Sequence, residues 1–290
     1  MPEGHTLHRL AGALRDRFAG RRVGVSSPQG RFAAEAGALD GAVVEGAETW
    51  GKHLFIGFEG DRHVHVHLGL YGKLDVHDAP PPAPVGQVRL RLVAAAPAPG
   101  DAAHEQHRRP AYADLRGATA CDLVTDAGRD AIVGRLGPDP LRPDADPARA
   151  WQRISRSRAP VGALLMDQAV IAGVGNVYRA EVLFRHRLHP LRPGNTLRRA
   201  QVEAVWADLV ALMAEGVRTG RIDTVRPEHT PEAMGREPRR DDHGGEVYVY
   251  RRHGRPCHVC GGRVRTEVLA ARNSFWCPRC QPVFRSRARR

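Results

Sequence analysis

The stretch Cys257-His-Val-Cys260, followed after 16 residues by Cys277-Pro-Arg-Cys280, determines how the C-terminal part of this chain folds. Two Cys-x2-Cys pairs at this spacing are typical of a zinc site held by four thiolates on two tight turns. We therefore predict one Zn²⁺ per chain, bound by Cys257, Cys260, Cys277 and Cys280. Four cysteines complete the coordination sphere and leave no position for an activated water, so the predicted zinc is structural.

The residues between the two cysteine pairs predict a zinc-bound β-hairpin. Residues 263–269 and 274–276 are strand-like, which places Arg272 and Asn273 at the hairpin tip. Basic side chains along this segment and the tail suit contact with phosphate groups. Cys121 is left over and is expected to be a small buried residue.

Upstream of the hairpin, helical patterns predominate. Candidate helices span residues 148–155, 161–167, 176–185 and 197–215. Gly173 and Gly175 interrupt the pattern before the third helix, and Asn176 is its predicted N-cap. Glycines before a helix start allow a phosphate to approach backbone amides closely, and a simple turn between helices is the alternative.

The first half of the chain has a different pattern. Short apolar or alternating runs, broken by Gly and Pro, predict strands at residues 43–50, 53–58, 63–67, 73–76, 88–93 and 112–115. A β-sandwich or barrel is the expected architecture. Residues 3–18 predict an amphipathic helix that precedes these strands and fixes the chain terminus in space. Residues 94–109 form a polar segment, which we expect to be a solvated loop.

Two proline-rich or polar segments, residues 138–147 and 221–245, are predicted linkers. They divide the chain into a strand-rich domain of residues 1–137, a helical domain of residues 138–225, and a final segment of residues 226–290 with the cysteines. The fold class is therefore α+β with several domains.

The charge of the chain predicts a polyanionic partner. The 290 residues have a net charge of +12 and a pI near 10.4, which favours nucleic acid. No apolar run approaches the roughly 20 residues of a transmembrane helix, and the N-terminus does not resemble a secretory signal, so we expect a cytoplasmic protein without membrane contact. Lysine occurs only at Lys52 and Lys73, against 42 arginines. Because lysine can lose its proton and arginine effectively cannot, both lysines are candidate functional residues.

Four segments together resemble the formamidopyrimidine-DNA glycosylase/endonuclease VIII family. They are Pro2-Glu-Gly-His-Thr6, Gly51-Lys-His53, the run from Leu165 to Glu181, and Arg272-Asn-Ser-Phe-Trp-Cys-Pro-Arg-Cys280. The resemblance covers nearly the whole chain and implies a β-sandwich with an N-terminal helix, a helix-two-turn-helix domain and a zinc-finger hairpin. The first segment looks like the endonuclease VIII branch, because His5 and Thr6 replace the Pro-Glu found at this point in the glycosylases for oxidised purines.

The resemblance implies a bifunctional DNA glycosylase/AP lyase that acts on damaged double-stranded DNA as a monomer, associated with the nucleoid when bound. After removal of Met1, the amine of Pro2 would form a Schiff base with the sugar C1′, and the strand would be cleaved by β,δ-elimination. Glu3 would act as general acid-base, and Lys52 would assist near the damaged nucleotide. Arg272 would grip a phosphate and assist elimination.

Further DNA contacts follow from the same resemblance. Asn176 would hold a phosphate beside the lesion. Leu70 and Tyr71 look like the wedge that fills the gap left by the extruded nucleotide, although a turn with two core residues is the alternative. Arg116 is a candidate for contact with the opposite strand, and Lys73 has no family role.

Three functions remain open at this stage. The first is removal of oxidised bases, with oxidised pyrimidines favoured over 8-oxoguanine or formamidopyrimidine. The second is a non-catalytic zinc-containing DNA-binding protein that has lost its chemistry. Intact Pro2, Glu3 and Lys52 argue against the second, because a binding protein needs none of them. The third is a zinc-ribbon RNA-binding protein, with which the basic tail is compatible.

Overall fold

A computed structural model of the protein describes residues 2–94, 109–240 and 245–285. The chain divides into two compact units, one formed by Met1–Pro2 with Thr6–Arg135 and the other by Glu3–His5 with Leu136–Arg290. The expected removal of Met1, the order of the loop within 94–109 and the basic tail after residue 285 lie outside the described residues. Within the described part of the chain, no helix is both long and apolar enough to cross a membrane.

In the part of the first unit that the structure describes, eight antiparallel strands form two sheets. In chain order its elements are α1 (Gly4–Phe18), β1 (Gly24–Ser26), α2 (Ala33–Leu39), β2 (Val44–Trp50), β3 (His53–Phe58), β4 (Arg62–His67), β5 (Lys73–His77), β6 (Val88–Ala94), β7 (Ala111–Arg116), β8 (Ala120–Val124) and α3 (Asp126–Val133). The sheet orders are β1-β6-β7-β5 and β2-β3-β4-β8. Buried apolar residues of both sheets and of α1 form one core, which confirms the β-sandwich with its helix.

All six predicted strands are present, with their ends shifted by one residue at most. The prediction missed β1, β8, α2 and α3. Strand β1 has only three residues, and α2 buries only Ala36 and Leu39, so neither segment has a long apolar period in sequence. Their positions depend on pairing and packing with distant residues, since β1 pairs with β6 through Val25 and Leu92.

The second unit combines helices with the C-terminal hairpin. Its elements are α4 (Pro147–Ser155), α5 (Val161–Leu164), α6 (Asn176–Arg185), α7 (Arg199–Thr219), α8 (Pro231–Met234), β9 (Arg265–Leu269) and β10 (Arg272–Trp276), with short 3-10 turns at Gly194–Thr196 and Pro227–His229. Helix α6 is its central element, because residues 176–184 are all buried. These findings confirm the predicted helical domain and the hairpin.

The predicted linker of residues 138–147 begins with buried residues, and Ala172 donates its N–H to the carbonyl of Pro138 at 3.0 Å. Two local predictions were wrong. The helix predicted over 161–167 ends at Leu164. The hairpin tip is Ala270 and Ala271, both in the left-handed region, while Arg272 and Asn273 pair within the sheet. Periodicity alone could not show where β9 turns into β10.

A buried carboxylate on α6 organises the start of the C-terminal segment. Glu181 is fully buried and accepts backbone N–H groups from Tyr248 at 2.6 Å, Val249 at 2.9 Å and Tyr250 at 2.8 Å. The hydroxyl of Thr224 donates to the same carboxylate at 2.7 Å. These four donors satisfy a charge that would otherwise be costly to bury.

We expect Glu181→Ala to lower the free energy of unfolding by about 3 to 5 kcal/mol, because it leaves three buried N–H groups without an acceptor. Glu203→Ala is the control, since Glu203 is exposed on α7 and, among the described residues, pairs only with Arg199; its cost should be about 0.5 kcal/mol. Urea denaturation measures both values. Equal costs for the two variants would contradict the assigned role of Glu181.

Candidate functional site

The carboxylate of Glu3 lies at the N-terminus of α6. Glu3 is fully buried, and its oxygens accept N–H groups from Gly175 at 2.9 Å, Val177 at 2.8 Å and Tyr178 at 3.4 Å. These are the donors that a helix leaves unsatisfied at its start, and the helix dipole favours a negative charge there. The predicted N-cap role of Asn176 was therefore wrong, because Asn176 is the first helical residue and Gly175 precedes it without a side-chain cap.

Two glycines make this approach possible. A Cβ atom on Gly175 would lie 2.3 Å from Cδ of Glu3, so only glycine allows the carboxylate to reach the amides. Gly173 has a φ of +87°, and its carbonyl accepts the N–H of Gly4 at 2.8 Å. The close approach predicted for a phosphate at this turn is made instead by a carboxylate of the chain itself.

A buried arginine links α6 to the hairpin strand β10. Arg179 is fully buried, and burial lowers the pKa of its guanidinium to about 10. It donates to the side-chain oxygen of Asn176 and, at 3.0 Å, to the carbonyl of Asn273. The amide of Asn176 donates to that same carbonyl at 3.1 Å. Asn176 is therefore held next to the strand that begins at Arg272, and the charge of Arg272 contributes to the lowered pKa of Arg179.

Sequence reasoning missed Arg179 and Glu181 as structural residues. Their only signal was the presence of two opposite charges within the mostly apolar run of residues 177–184. It also missed Gln281, which is fully buried below the second cysteine pair. The side chain of Gln281 accepts the N–H of Cys277 at 2.9 Å and donates to the carbonyl of Leu188 at 2.8 Å.

Lys52 lies in the turn between β2 and β3, where Gly51 has a φ of +61°. Three histidines follow on the adjoining strands. The rings of His53 and His65 stack and share a hydrogen bond of 2.9 Å, and His53 pairs with His67 across the sheet. Burial and neighbouring cationic groups, Lys52 among them, lower the pKa of His53 to about 3. Burial and Lys52 also lower the pKa of His67, so both imidazoles are neutral at pH 7.

The predicted wedge residues lie on an exposed turn. Leu70 is 45% exposed and Tyr71 is 88% exposed, whereas Leu68 before them is buried. The N–H of Gly72 donates to the carbonyl of Leu68 at 2.9 Å and closes the turn. The alternative of two core residues is therefore wrong, and two apolar side chains extend into solvent.

Arg116 is the last residue of β7, and Lys73 is the first residue of β5. The two residues are paired across these neighbouring strands. Arg116 contacts the carboxylates of Asp114 at 2.8 Å and Asp75 at 3.4 Å and is partly buried. Lys73 is exposed and pairs with Asp75 at 2.9 Å. Both side chains therefore have ion-pair partners within their own sheet.

The four predicted zinc ligands converge in the second unit. Their sulfur atoms all lie within 4.8 Å of one another. Sγ of Cys257 and Cys280 are 3.9 Å apart, and those of Cys260 and Cys277 are 3.4 Å apart. A tetrahedron with Zn–S bonds of about 2.3 Å has edges of about 3.8 Å, so the set fits one Zn²⁺ and is too open for disulfides.

Family models match the chain in three parts. The formamidopyrimidine-DNA glycosylase N-terminal domain matches residues 1–121, and the H2TH domain of that glycosylase matches residues 136–227. A zinc finger found in FPG and IleRS matches residues 254–283, which include all four cysteines.

Similar proteins cover most of the chain. A protein of Mycobacterium tuberculosis named Endonuclease 8 1 is 53% identical over 97% of this chain and 100% of its own. A formamidopyrimidine-DNA glycosylase of Thermomicrobium roseum is 35% identical over 81% of each chain. Among solved structures, MutM of Thermus thermophilus is 27% identical with a TM-score of 0.69 over 97% of this chain and 98% of its own. A Lactococcus lactis Fpg complexed with DNA containing an abasic site is 21% identical with a TM-score of 0.73 over 97% of this chain and 100% of its own.

Cys277→Ser should reduce the zinc content from one ion per chain to nearly none and destabilise the second unit, because structural zinc binding is itself folding free energy. Cys121→Ser is the control. Cys121 is buried in the first unit, and burial raises the pKa of its thiol to about 12, so it should leave the zinc content unchanged. Metal analysis and thermal unfolding test this. Loss of zinc with unchanged unfolding temperature would rule out the structural role.

The histidines beside Lys52 predict a pH dependence of stability. His53 has a lower pKa in the folded chain than in the unfolded chain, so the unfolded state binds more protons as the pH falls below about 6.5. Stability should therefore fall between about pH 6.5 and about pH 3, the folded-state pKa of His53, by as much as about 1.4 kcal/mol per pH unit for one such group. His53→Gln should flatten this dependence, whereas exposed His253→Gln should not. Urea denaturation at a series of pH values measures the slopes, and parallel slopes for all three proteins would contradict the prediction.

Proposed function

Because the chain belongs to the formamidopyrimidine-DNA glycosylase/endonuclease VIII family, we propose that it excises oxidised pyrimidines from damaged double-stranded DNA through a covalent intermediate on Pro2. Members of this family are DNA glycosylases with AP lyase activity, and the chain is a DNA repair enzyme of base excision repair. We propose in addition which lesion the enzyme removes, that its partner is damaged double-stranded DNA, which residues act, and that the strand is cleaved by β,δ-elimination.

The hydrogen bonds that hold the Glu3 carboxylate are the observation that supports the proposal most. Three backbone amides hold its carboxylate at the start of α6. Because Pro2 is bonded directly to Glu3, the same contacts restrict the position of the Pro2 nitrogen. A secondary amine at a fixed chain terminus is a good nucleophile once it is deprotonated. The start of α1 follows at Gly4, and its positive end disfavours the protonated amine.

The proposed reaction begins with attack of the Pro2 nitrogen on C1′ of the damaged nucleotide. The base leaves with the electron pair of the C1′–N bond and takes up a proton. The Pro2 nitrogen gives up its own proton, and the sugar ring opens at the C1′–O4′ bond as O4′ takes up a proton. The product is an iminium ion between Pro2 and C1′. The iminium makes the C2′ protons acidic, so loss of one of them breaks the C3′–O bond, and a second elimination breaks the C5′–O bond. Glu3 serves as the general acid-base for the sugar.

The remaining residues bind or position the DNA. Lys52 assists at the damaged nucleotide, and Asn176 and Arg272 bind flanking phosphates from α6 and β10. The hydrogen bond between Asn176 and Asn273 supports a shared phosphate contact, since it fixes the amide beside the first residues of β10. Arg272 also assists the elimination.

The exposed turn of the first unit supplies the wedge. Leu70 and Tyr71 fill the space that the extruded nucleotide leaves, and their exposure is the supporting observation. Arg116 contacts the opposite strand only after its pairs with Asp114 and Asp75 rearrange. We keep the division into domains of residues 1–137, 138–225 and 226–290, a monomeric state and action on DNA in the cytoplasm as parts of the proposal.

A second candidate activity is removal of oxidised purines. Several relatives at 29–35% identity are named formamidopyrimidine-DNA glycosylase. Similarity is higher to the protein named Endonuclease 8 1, and His5 and Thr6 match that branch, so oxidised pyrimidines are favoured. The order of activity on the two lesions separates these candidates.

Borohydride trapping tests the covalent step, because the hydride reduces the iminium to a stable amine. The substrates are duplexes with an abasic site, with thymine glycol or with 8-oxoguanine. We expect a trapped complex that weakens sharply in Pro2→Gly, and faster excision of thymine glycol than of 8-oxoguanine. Mass spectrometry first establishes that Met1 is absent. No trapped complex on any duplex would favour a non-catalytic DNA-binding protein.

The chain offers a matched control for its candidate lysine. Lys52→Ala should reduce base excision by about 100-fold, in line with positioned acid-base groups, while Lys73→Ala should leave it unchanged. Equal activities of the two lysine variants would remove Lys52 from the site.

Glu3→Gln should reduce base excision more than it reduces trapping on the abasic duplex. Because Glu3 also caps α6, the thermal unfolding of this variant is measured as well. If the variant is folded like the native chain, the loss of excision reports the chemical role of Glu3.

A further inference from the structure

The outer face of the sheet β2-β3-β4-β8 in the first unit carries histidines that the proposed reaction does not use. Side chains alternate along a strand, so the valines of β4 pack in the core while His63, His65 and His67 lie on the opposite face. His53 of β3 is paired with His67 and shares that face. Because His65 is buried, its ring nitrogens need partners within the protein.

His53, His65 and Asp122 form a line across three neighbouring strands, β3, β4 and β8. Nδ1 of His53 lies 2.9 Å from Nε2 of His65, and the two rings are stacked. Asp122 is the cross-strand partner of His65, and its Oδ2 lies 3.8 Å from Nδ1 of that ring. The fully buried ring of Phe55 also stacks on His65, with the ring centres 5.1 Å apart. The orientation of the His65 ring is therefore restricted by a second imidazole, a carboxylate and an aromatic ring.

The distance between the two ring nitrogens indicates a hydrogen bond and not a shared metal ion. Two imidazoles bound to one tetrahedral Zn²⁺ through bonds of about 2.0–2.1 Å have nitrogens about 3.3 Å apart. The observed 2.9 Å between His53 and His65 is shorter and lies in the range of hydrogen bonds. One of the two nitrogens must therefore carry a proton, and the other must offer its lone pair.

Asp122 sets the direction of this hydrogen bond. A neutral imidazole has one N–H and one lone pair. The carboxylate favours the proton on Nδ1 of His65, so Nε2 of His65 is the acceptor and Nδ1 of His53 is the donor. Burial lowers the pKa of His65 although the charge of Asp122 acts in the opposite direction, so the ring is neutral at pH 7. The line thus holds each ring in one tautomer.

The line ends beside Lys52. This lysine lies in the two-residue turn between β2 and β3, and His53 is the first residue of β3. Burial is the main cause of the lowered pKa of His67, and the charge of Lys52 is the second. The same charge contributes to the lowered pKa of His53, after burial, the two neighbouring histidines and Arg135. The Lys52 ammonium is therefore near two neutral rings, and a fixed His53 restricts the backbone from which the lysine side chain extends.

We propose that His53, His65 and Asp122 position Lys52 for base excision. The inference rests on the function proposed for Lys52 at the damaged nucleotide. Asp122 orients His65, and His65 orients His53. His53 in turn fixes the start of β3 next to Lys52. The lysine side chain is long and flexible, so restricting its backbone before the reaction reduces the freedom that it loses when it acts.

Two substitutions at position 65 and one matched control test this line. His65→Leu removes the link between Asp122 and His53, whereas His65→Gln keeps an amide oxygen that can accept the N–H of His53. The control is His63→Leu, two positions earlier on the same face. The side chains of His63 and its partner Asp126 are 12% and 56% exposed, and those of His65 and Asp122 are 8% and 58% exposed. Each leucine variant therefore separates one nearly buried imidazole from one exposed aspartate.

The rate of base excision is measured in single turnover at saturating enzyme. The duplex contains thymine glycol or 8-oxoguanine, whichever the native chain excises faster. His65→Leu should reduce this rate at least about 10-fold, because small displacements of a reacting group are costly, and should leave the half-saturating enzyme concentration nearly unchanged. His65→Gln should restore most of the rate, and His63→Leu should match the native chain. Thermal unfolding establishes that each variant is folded.

A double-mutant cycle separates the positioning of Lys52 from a general effect on the fold. In a Lys52→Ala background, His65→Leu should change excision by less than about 2-fold, since the effects of coupled residues are not additive. The same factor of loss in both backgrounds would overturn the proposal, as would equal rates of the His65→Leu and His63→Leu proteins. A Lys52→Ala protein that excises at the native rate would instead contradict the function proposed for Lys52, and this inference with it.

Discussion

The burial of charge around α6 is the constraint on which the second unit depends. This helix has no exposed face over residues 176–184, yet it contains Arg179 and Glu181, and Glu3 lies at its start. A buried charge is tolerated only when donors or acceptors surround it. The amides at the N-terminus of α6 satisfy Glu3, and those of residues 248–250 satisfy Glu181. One helix therefore orders the beginning of the chain and the approach to the zinc hairpin.

In this arrangement Glu3 has a structural function and a proposed chemical function, and the two make different demands on its protonation state. As a cap, it must remain ionised and hydrogen-bonded to the amides of α6. As the proposed general acid-base, it must exchange a proton with a substrate. Both functions are compatible if one carboxylate oxygen stays on the helix while the other serves the sugar, since the two oxygens have separate donors, Val177 for one and Gly175 with Tyr178 for the other. The helix then stabilises the charged form to which the group returns.

Sequence predicted the repeating elements of the fold and the converging cysteines, because periodicity and ligand spacing are local signals. Six strands, four of the five predicted helices and the four-sulfur cluster follow their patterns closely, and the helix predicted over 161–167 is shortened. The errors lie where the hydrogen-bonding groups of one segment are satisfied by a residue from a distant segment. Asn176 has the composition of an N-cap, but Glu3 takes that role from more than 170 positions away. The turn at Gly173 and Gly175 has the composition of a phosphate loop, but a carboxylate occupies it. Neither outcome is encoded in the residues next to the turn.

Arginines that stabilise the fold must be distinguished from arginines that are available to bind a polyanion. A net charge of +12 predicts a polyanionic partner, but many arginines are structural hydrogen-bond donors. Arg21 and Arg185 donate to backbone carbonyls, and Arg91 forms a buried pair with Asp114. Five donors in a planar fork suit such contacts better than an ammonium group does. Total charge thus overstates the surface available to DNA.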